Sequence, residues 1–190
     1  MTTGETDLTC SAHRSQLLVV DIQERLASAM SEADRARVGR CAGGLARAAG
    51  ALEIPITVTE QYPRGIGTTA PEVKAQLPDP ARILEKTTFS CCGDERIMAA
   101  LTQALRPQIV LCGMEAHVCI LQTALGLLHA GFRVFVVEDG VCSRDAEHRR
   151  NALERMARAG ITVTNYESVI FEWLGNSRHP RFRDLLPLVR

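Results

Sequence analysis

Short β-branched apolar runs recur along this chain, and the stretches between them carry apolar residues three and four apart. The runs predict strands over 16–20, 56–60, 82–85, 108–112, 133–138 and 161–164. Ser31-Glu32-Ala33-Asp34 reads as a capping box, in which a serine and an acid close a helix start. The helix after it places Val38, Cys41, Ala42, Leu45, Ala48, Ala49 and Leu52 on one face, and Pro55 forbids its continuation. Residues 61–70, rich in Pro, Gly and Thr, form a loop, and a short helix starts at Pro71. Further helices are expected over 94–105, along the stripe Leu121, Ala124, Leu125 and Leu128 until Gly131, over 146–159, and over 167–174. The tail 178–190 has two prolines and scattered apolar residues, while Phe171 and Trp173 suit a core.

Strand–helix alternation of this kind predicts an α/β fold, a three-layer α/β/α sandwich on a six-stranded parallel sheet, Rossmann-like. Residues 1–15 are expected to be a flexible N-terminal segment and 16–190 a single domain, a length that suits one core. Ligands bind such sheets at the carboxyl ends of the strands. Asp21, Glu60, Lys86, Gly113 and Asp139 all fall just past predicted strand ends, which locates a site from pattern alone.

Composition narrows the partners. The formal net charge is zero, without the basic excess of a nucleic-acid binder, and the arginines of 147–158 are interleaved with glutamates. No stretch is apolar and long enough to span a membrane. The polar start, with Glu5 and Asp7, lacks the apolar core of a signal peptide, so a cytoplasmic location is expected. The seven cysteines are odd in number and make no C-x-x-C, which favours neither a disulfide framework nor a zinc ribbon. Cys41 and Cys112 lie in apolar patterns and read as inert core thiols; adjacent Cys91 and Cys92 read as small residues at a loop-to-helix junction.

The chemistry concentrates in the run 111–119. It reads as a buried strand, a glycine turn at Gly113, and Cys119 in the first turn of an apolar helix. A thiol there sits at the positive end of a helix dipole, a condition that favours a thiolate nucleophile. Read singly, each residue has two meanings. Cys119 is a nucleophile or a buried structural thiol. Asp21 is a loop cap or a catalytic carboxylate, and Lys86 a surface lysine or a charge partner. Together they form a thiol, a cation to hold it and a carboxylate to carry its proton.

The segments Leu18-Val19-Val20-Asp21-Ile22-Gln23, Glu85-Lys86-Thr87-Thr88-Phe89-Ser90 and Gly113-Met114-Glu115-Ala116-His117-Val118-Cys119, followed by Glu138-Asp139-Gly140-Val141-Cys142-Ser143-Arg144, resemble the isochorismatase-like cysteine hydrolases. The segments at 59–63 and 179–182 are most similar to the isochorismatase domain-containing proteins. The resemblance implies strand order 3-2-1-4-5-6 and an Asp-Lys-Cys triad of Asp21, Lys86 and Cys119. It also implies a cis peptide at Met114–Glu115 and an oxyanion hole from the Glu115 and Cys119 N–H groups. It implies a small-molecule substrate with no organic cofactor, and a homo-oligomer. With strand three two spacings, about 10 Å, from strand one, the loop after strand three has to bend inward for Lys86 to reach Asp21. Gln61, Tyr62, Phe89 and His117 are expected pocket residues, His117 having a subunit interface or a plain loop role as alternatives. Family members with a metal carry histidines after strand two; residues 60–67 here hold none, so no metal is expected. The expected activity is hydrolysis of a C–N bond in a small amide, imide or carbamoyl compound through a thioester. The alternatives are a catalytically silent binding module of the same fold and vinyl-ether hydrolysis, which does not need the cysteine.

Overall fold

The computed structural model describes residues 8–79 and 81–189. In chain order its elements are β1 (Ser15–Val20), α1 (Glu24–Ser28), α2 (Glu32–Ala51), β2 (Ile56–Gln61), α3 (Pro63–Ile66), α4 (Pro71–Lys74) and β3 (Arg82–Lys86). There follow α5 (Glu95–Gln103), β4 (Gln108–Met114), α6 (Leu121–His129), β5 (Arg133–Cys142), α7 (Ala146–Arg158), β6 (Thr162–Thr164), α8 (Tyr166–Leu174) and α9 (Phe182–Leu185). Side-chain caps set the helix starts: Ser31 accepts from the Asp34 N–H, Asp94 from Arg96, Asp145 from Glu147 and Asn165 from Ser168.

All six strands are parallel, in the order β3-β2-β1-β4-β5-β6. Every residue of β1 and β4 is buried, as befits strands covered on both faces. Side chains alternate between two cores. Leu17 and Val19 pack with α2 and α8, whereas Leu18 and Val20 pack with α5, α6 and α7. The chain adds β2 and β3 to one side of β1, then crosses to place β4 on the other. The crevice at that reversal is where such sheets bind ligands.

Gly113 sets how closely β1 and β4 approach there. It pairs with Val20 at φ +135°, and a Cβ on it would lie 1.9 Å from the Val20 carbonyl oxygen. Only glycine brings the two strand ends together so tightly. Gly113 is therefore a strand residue, not the turn expected from the sequence, and β4 continues to Met114.

Two further expectations are corrected. Asp139 does not follow a strand end, because β5 runs on to Cys142. Between Leu111↔Val136 and Gly113↔Val141, β5 advances five residues against two on β4, and the slack is taken up around Asp139. The Asp139 carboxylate accepts the Tyr166 N–H at 2.8 Å and its carbonyl accepts from Arg37, both structural uses. The flexible segment 1–15 is also too long. Cys10 is buried, its N–H donates to Glu172 at 2.8 Å, and the Ser11 N–H donates to Gln108 at 2.9 Å. Residues 1–7 lie outside the described residues. Trp173 is in the core, while Phe171 is part-exposed against Phe182, with ring centroids 6.4 Å apart.

Candidate active site

Asp21 leaves β1 in the left-handed region, φ +55°, which aspartate tolerates better than most residues. Its backbone stays fastened, the N–H donating to the Thr59 carbonyl at 3.1 Å. Each oxygen of its carboxylate accepts one side-chain donor. Thr59 Oγ1 donates to one oxygen at 2.7 Å and Lys86 Nζ to the other at 2.6 Å. Both side chains of that ion pair are 0% exposed.

Lys86 reaches Asp21 by a different route from the one expected. It remains on β3, paired with Gln61 of β2, and its side chain spans β2. Gln61 Oε1 accepts from Nζ on the way, at 2.7 Å, and the carbonyls of Thr88 and Phe89 fold over to accept at 3.1 Å each. A buried ammonium is thus neutralised by one carboxylate and solvated by three oxygens, the condition for burying it at all.

Cys119 stands on a wide turn, Ala116–Ile120, with π-type bonds, that precedes α6. The Glu115 carbonyl accepts the N–H groups of Val118 and Ile120 at 3.1 and 3.2 Å, on either side of Cys119. The peptide bond Met114–Glu115 is cis. Cys119 is 5% exposed, and its thiol lies near enough to Asp21 and Lys86 to feel both charges. Burial, and after it the negative charge of Asp21, push the thiol well above the ordinary range; Lys86 opposes this and does not prevail. The helix position and Lys86 favour a thiolate, while burial and Asp21 work against it.

The expected pocket residues divide. Tyr62, in the left-handed region at φ +38°, is exposed and lines a cavity of about 300 Å³ together with Arg64, Glu85, Lys86 and Thr87. Phe89 is also exposed, and its carbonyl serves Lys86. Gln61 is committed to Lys86 through Oε1 and to the Thr87 carbonyl through Nε2, at 2.7 Å each. His117 turns to another group: Nδ1 lies 2.9 Å from Ser143 Oγ and the ring centroid 4.7 Å from that of His148. Glu60 anchors the loop that follows, accepting the N–H and hydroxyl of Thr69 at 2.7 Å each.

Sequence reasoning missed Thr59, Gln23 and Arg144. Thr59 is the second threonine of the mixed strand Ile56-Thr57-Val58-Thr59-Glu60-Gln61, so nothing in the pattern set it apart from Thr57. Gln23 clasps the Gln61 peptide from both sides, accepting at 2.7 Å and donating at 3.0 Å, so it fixes Lys86's partner. Arg144 donates to Glu115. A second thiol, Cys91, lies 4.0 Å from Thr59 Oγ1 and is pushed up to about 11, chiefly by burial. Among the described residues, no group of three or more His, Cys, Asp or Glu side chains is placed to hold a metal ion. No helix among them is long and apolar enough to cross a membrane.

Residues 15–168 match the family model described as the isochorismatase domain. Isochorismatase domain-containing protein 1 of Salmo salar is 39% identical over 171 residues, 90% of this chain. The chain spans only 59% of that relative's length. Isochorismatase domain-containing protein 2 of Macaca fascicularis is 40% identical over 154 residues, covering 78% of this chain and 71% of the relative. Among solved structures, the MAR1 ribonuclease of Caenorhabditis elegans superposes with a TM-score of 0.90 at 37% identity, covering 95% of this chain and 92% of its own.

Proposed function

The chain belongs to the isochorismatase family, and from that premise we propose that it is a cysteine-dependent hydrolase cleaving the C–N bond of a small amide, imide or carbamoyl compound. The observation that carries this reading is a fully buried Asp21–Lys86 pair, 2.6 Å apart, whose two charges act on the neighbouring Cys119 thiol. Cys119 Sγ attacks the substrate carbonyl while its proton passes to Asp21. Lys86 holds the carboxylate in place and offsets the charge that develops on sulfur. The N–H groups of Glu115 and Cys119 receive the tetrahedral oxyanion. Collapse breaks the C–N bond, and Asp21 returns the proton to the leaving amine. A water, deprotonated by Asp21, then releases the acid from the thioester and restores the thiol.

The near enclosure of Cys119 supports a small substrate. The ribonuclease name of the nematode relative describes that protein. Zero net charge and an enclosed thiol fit a small neutral amide better than a polyanion.

The test is a panel of small amides and carbamoyl compounds with mass spectrometry of the protein. Turnover with a transient acyl adduct on Cys119, both abolished in Cys119→Ala, is expected. Undiminished turnover by Cys119→Ala overturns the mechanism and favours vinyl-ether-type chemistry. Absence of both turnover and adduct favours the silent binding module.

A further inference from the structure

The two residues that follow β5 grip the turn that carries Cys119, at His117 and at Glu115. Ser143 Oγ lies 2.9 Å from His117 Nδ1. Arg144 then gives Glu115 Oε1 two hydrogen bonds, from its backbone N–H and from Nε, each at 3.1 Å. The gripping segment is itself braced: Arg149 of α7 donates to the Val141 carbonyl at 3.1 Å, and His148 of α7 lies against His117.

Glu115 is the hub. Its carbonyl takes the N–H groups that flank Cys119, and its carboxylate takes Arg144. That carboxylate is 8% exposed, whereas the Arg144 side chain is 63% exposed. Withdrawing a carboxylate from water to meet a largely solvated partner returns little stability. The largest charge effects on the Cys119 thiol come from Asp21 and Lys86. What the Glu115 carboxylate does visibly hold is the turn: its two bonds from Arg144 fix the residue whose carbonyl takes the N–H groups on either side of Cys119.

We infer that Arg144, seconded by Ser143, is a positioning residue: by holding Glu115 and His117 it aims the Glu115 and Cys119 N–H groups at a single oxyanion. This rests on the hydrolase reading above.

Two reagents separate aim from mere folding. Acylation by p-nitrophenyl acetate forms a bond from Sγ to the carbonyl carbon and expels nitrophenolate, the thiol proton going to Asp21; it passes through an oxyanion. Alkylation by iodoacetamide displaces iodide from carbon and forms none. In Arg144→Ala, acylation is expected to fall roughly 10- to 100-fold, the cost of misaimed donors, with alkylation changed less than about twofold. Arg144→Lys is expected to regain most of the loss. Parental acylation by Arg144→Ala overturns the inference, as does an equal fall in both reactions, which marks general damage to the turn. No acyl adduct on the unaltered protein is a separate failure, which removes the hydrolase reading and this inference with it.

Discussion

Two regions of this molecule hold their charges in opposite ways. At the carboxyl ends of β1 and β3, Asp21 and Lys86 meet at 2.6 Å with both side chains fully buried. On α7, Arg150 bridges Glu147 at 2.8 Å and Glu154 at 2.5 Å, with its own side chain 59% exposed. The distances barely differ; the surroundings do. Water already solvates the α7 charges, so pairing them gains little, and salt screens what is gained. The buried charges have given up their water and depend on each other and on Thr59, Gln61 and the Thr88 and Phe89 carbonyls. A pair of that kind is weak evidence for stability, since an apolar pair of equal volume would stabilise as well. Its retention at a strand-end crevice beside a thiol points to chemistry.

The sharpest break of this contrast is Lys86→Met. It leaves the Asp21 carboxylate buried and uncompensated, and is expected to cost about 3–5 kcal/mol, read as a lower urea midpoint. Asp21→Asn with Lys86→Met is expected to recover much of that loss, because no buried charge is then stranded, while acylation of Cys119 stays absent. A single Lys86→Met variant with parental stability would show that the pair is not buried as a unit.

This contrast was only half legible in the sequence. Strand order, the helix caps at Ser31 and the convergence of Asp21, Lys86 and Cys119 follow from periodicity, strand-end placement and motif resemblance. The side-chain route of Lys86 across β2 was hidden, because an extended lysine and an inward loop solve the same distance problem. The burial of the thiol was hidden for a related reason. A helix start favours a thiolate and burial beside Asp21 opposes it, and burial of a residue inside a wide turn has no periodic signature. The length of β5 escaped because Glu138-Asp139-Gly140 looks like a strand end, and only pairing with Gly113 and Met114 carries the strand past it.

A gentler probe uses the burial itself. Cys91 packs under the same Thr59 that serves Asp21, and burial raises its thiol from 9.0 to about 11. Below pH 9 the folded and unfolded chains both keep this proton, and its contribution to stability is intact. Between pH 9 and 11 the unfolded chain releases the proton and the folded one keeps it, so stability falls as pH rises. The slope is up to about 1.4 kcal/mol per pH unit for one such thiol. Cys91→Ala is expected to flatten the alkaline limb of urea-midpoint against pH by that share. An unchanged limb would mean that Cys91 is reached by water and that the buried end of the comparison is less dry than described.

The smallest effect is expected at the other end of the comparison, in Arg150→Ala. The substitution removes three hydrogen bonds to carboxylates, two to Glu147 and one to Glu154. All of the released groups lie in water and are resolvated at once. Two effects oppose what is lost: alanine is the better helix former, and a long side chain no longer has to be held in one rotamer. Glu147 keeps its favourable place in the first turn of α7, where the helix dipole attracts an acid with or without Arg150. The urea midpoint is therefore expected to stay within the scatter of repeat measurements, and to stay there when salt is raised. Salt distinguishes the two regions even where stability alone does not. At 1 M the Debye length shrinks to about 3 Å, which erases any residual α7 term, while the Lys86→Met deficit is expected to persist because no ions enter that crevice. A Lys86→Met deficit that faded with salt in parallel with an Arg150→Ala deficit would collapse the distinction between the two regions, and with it the argument that the strand-end pair is kept for chemistry.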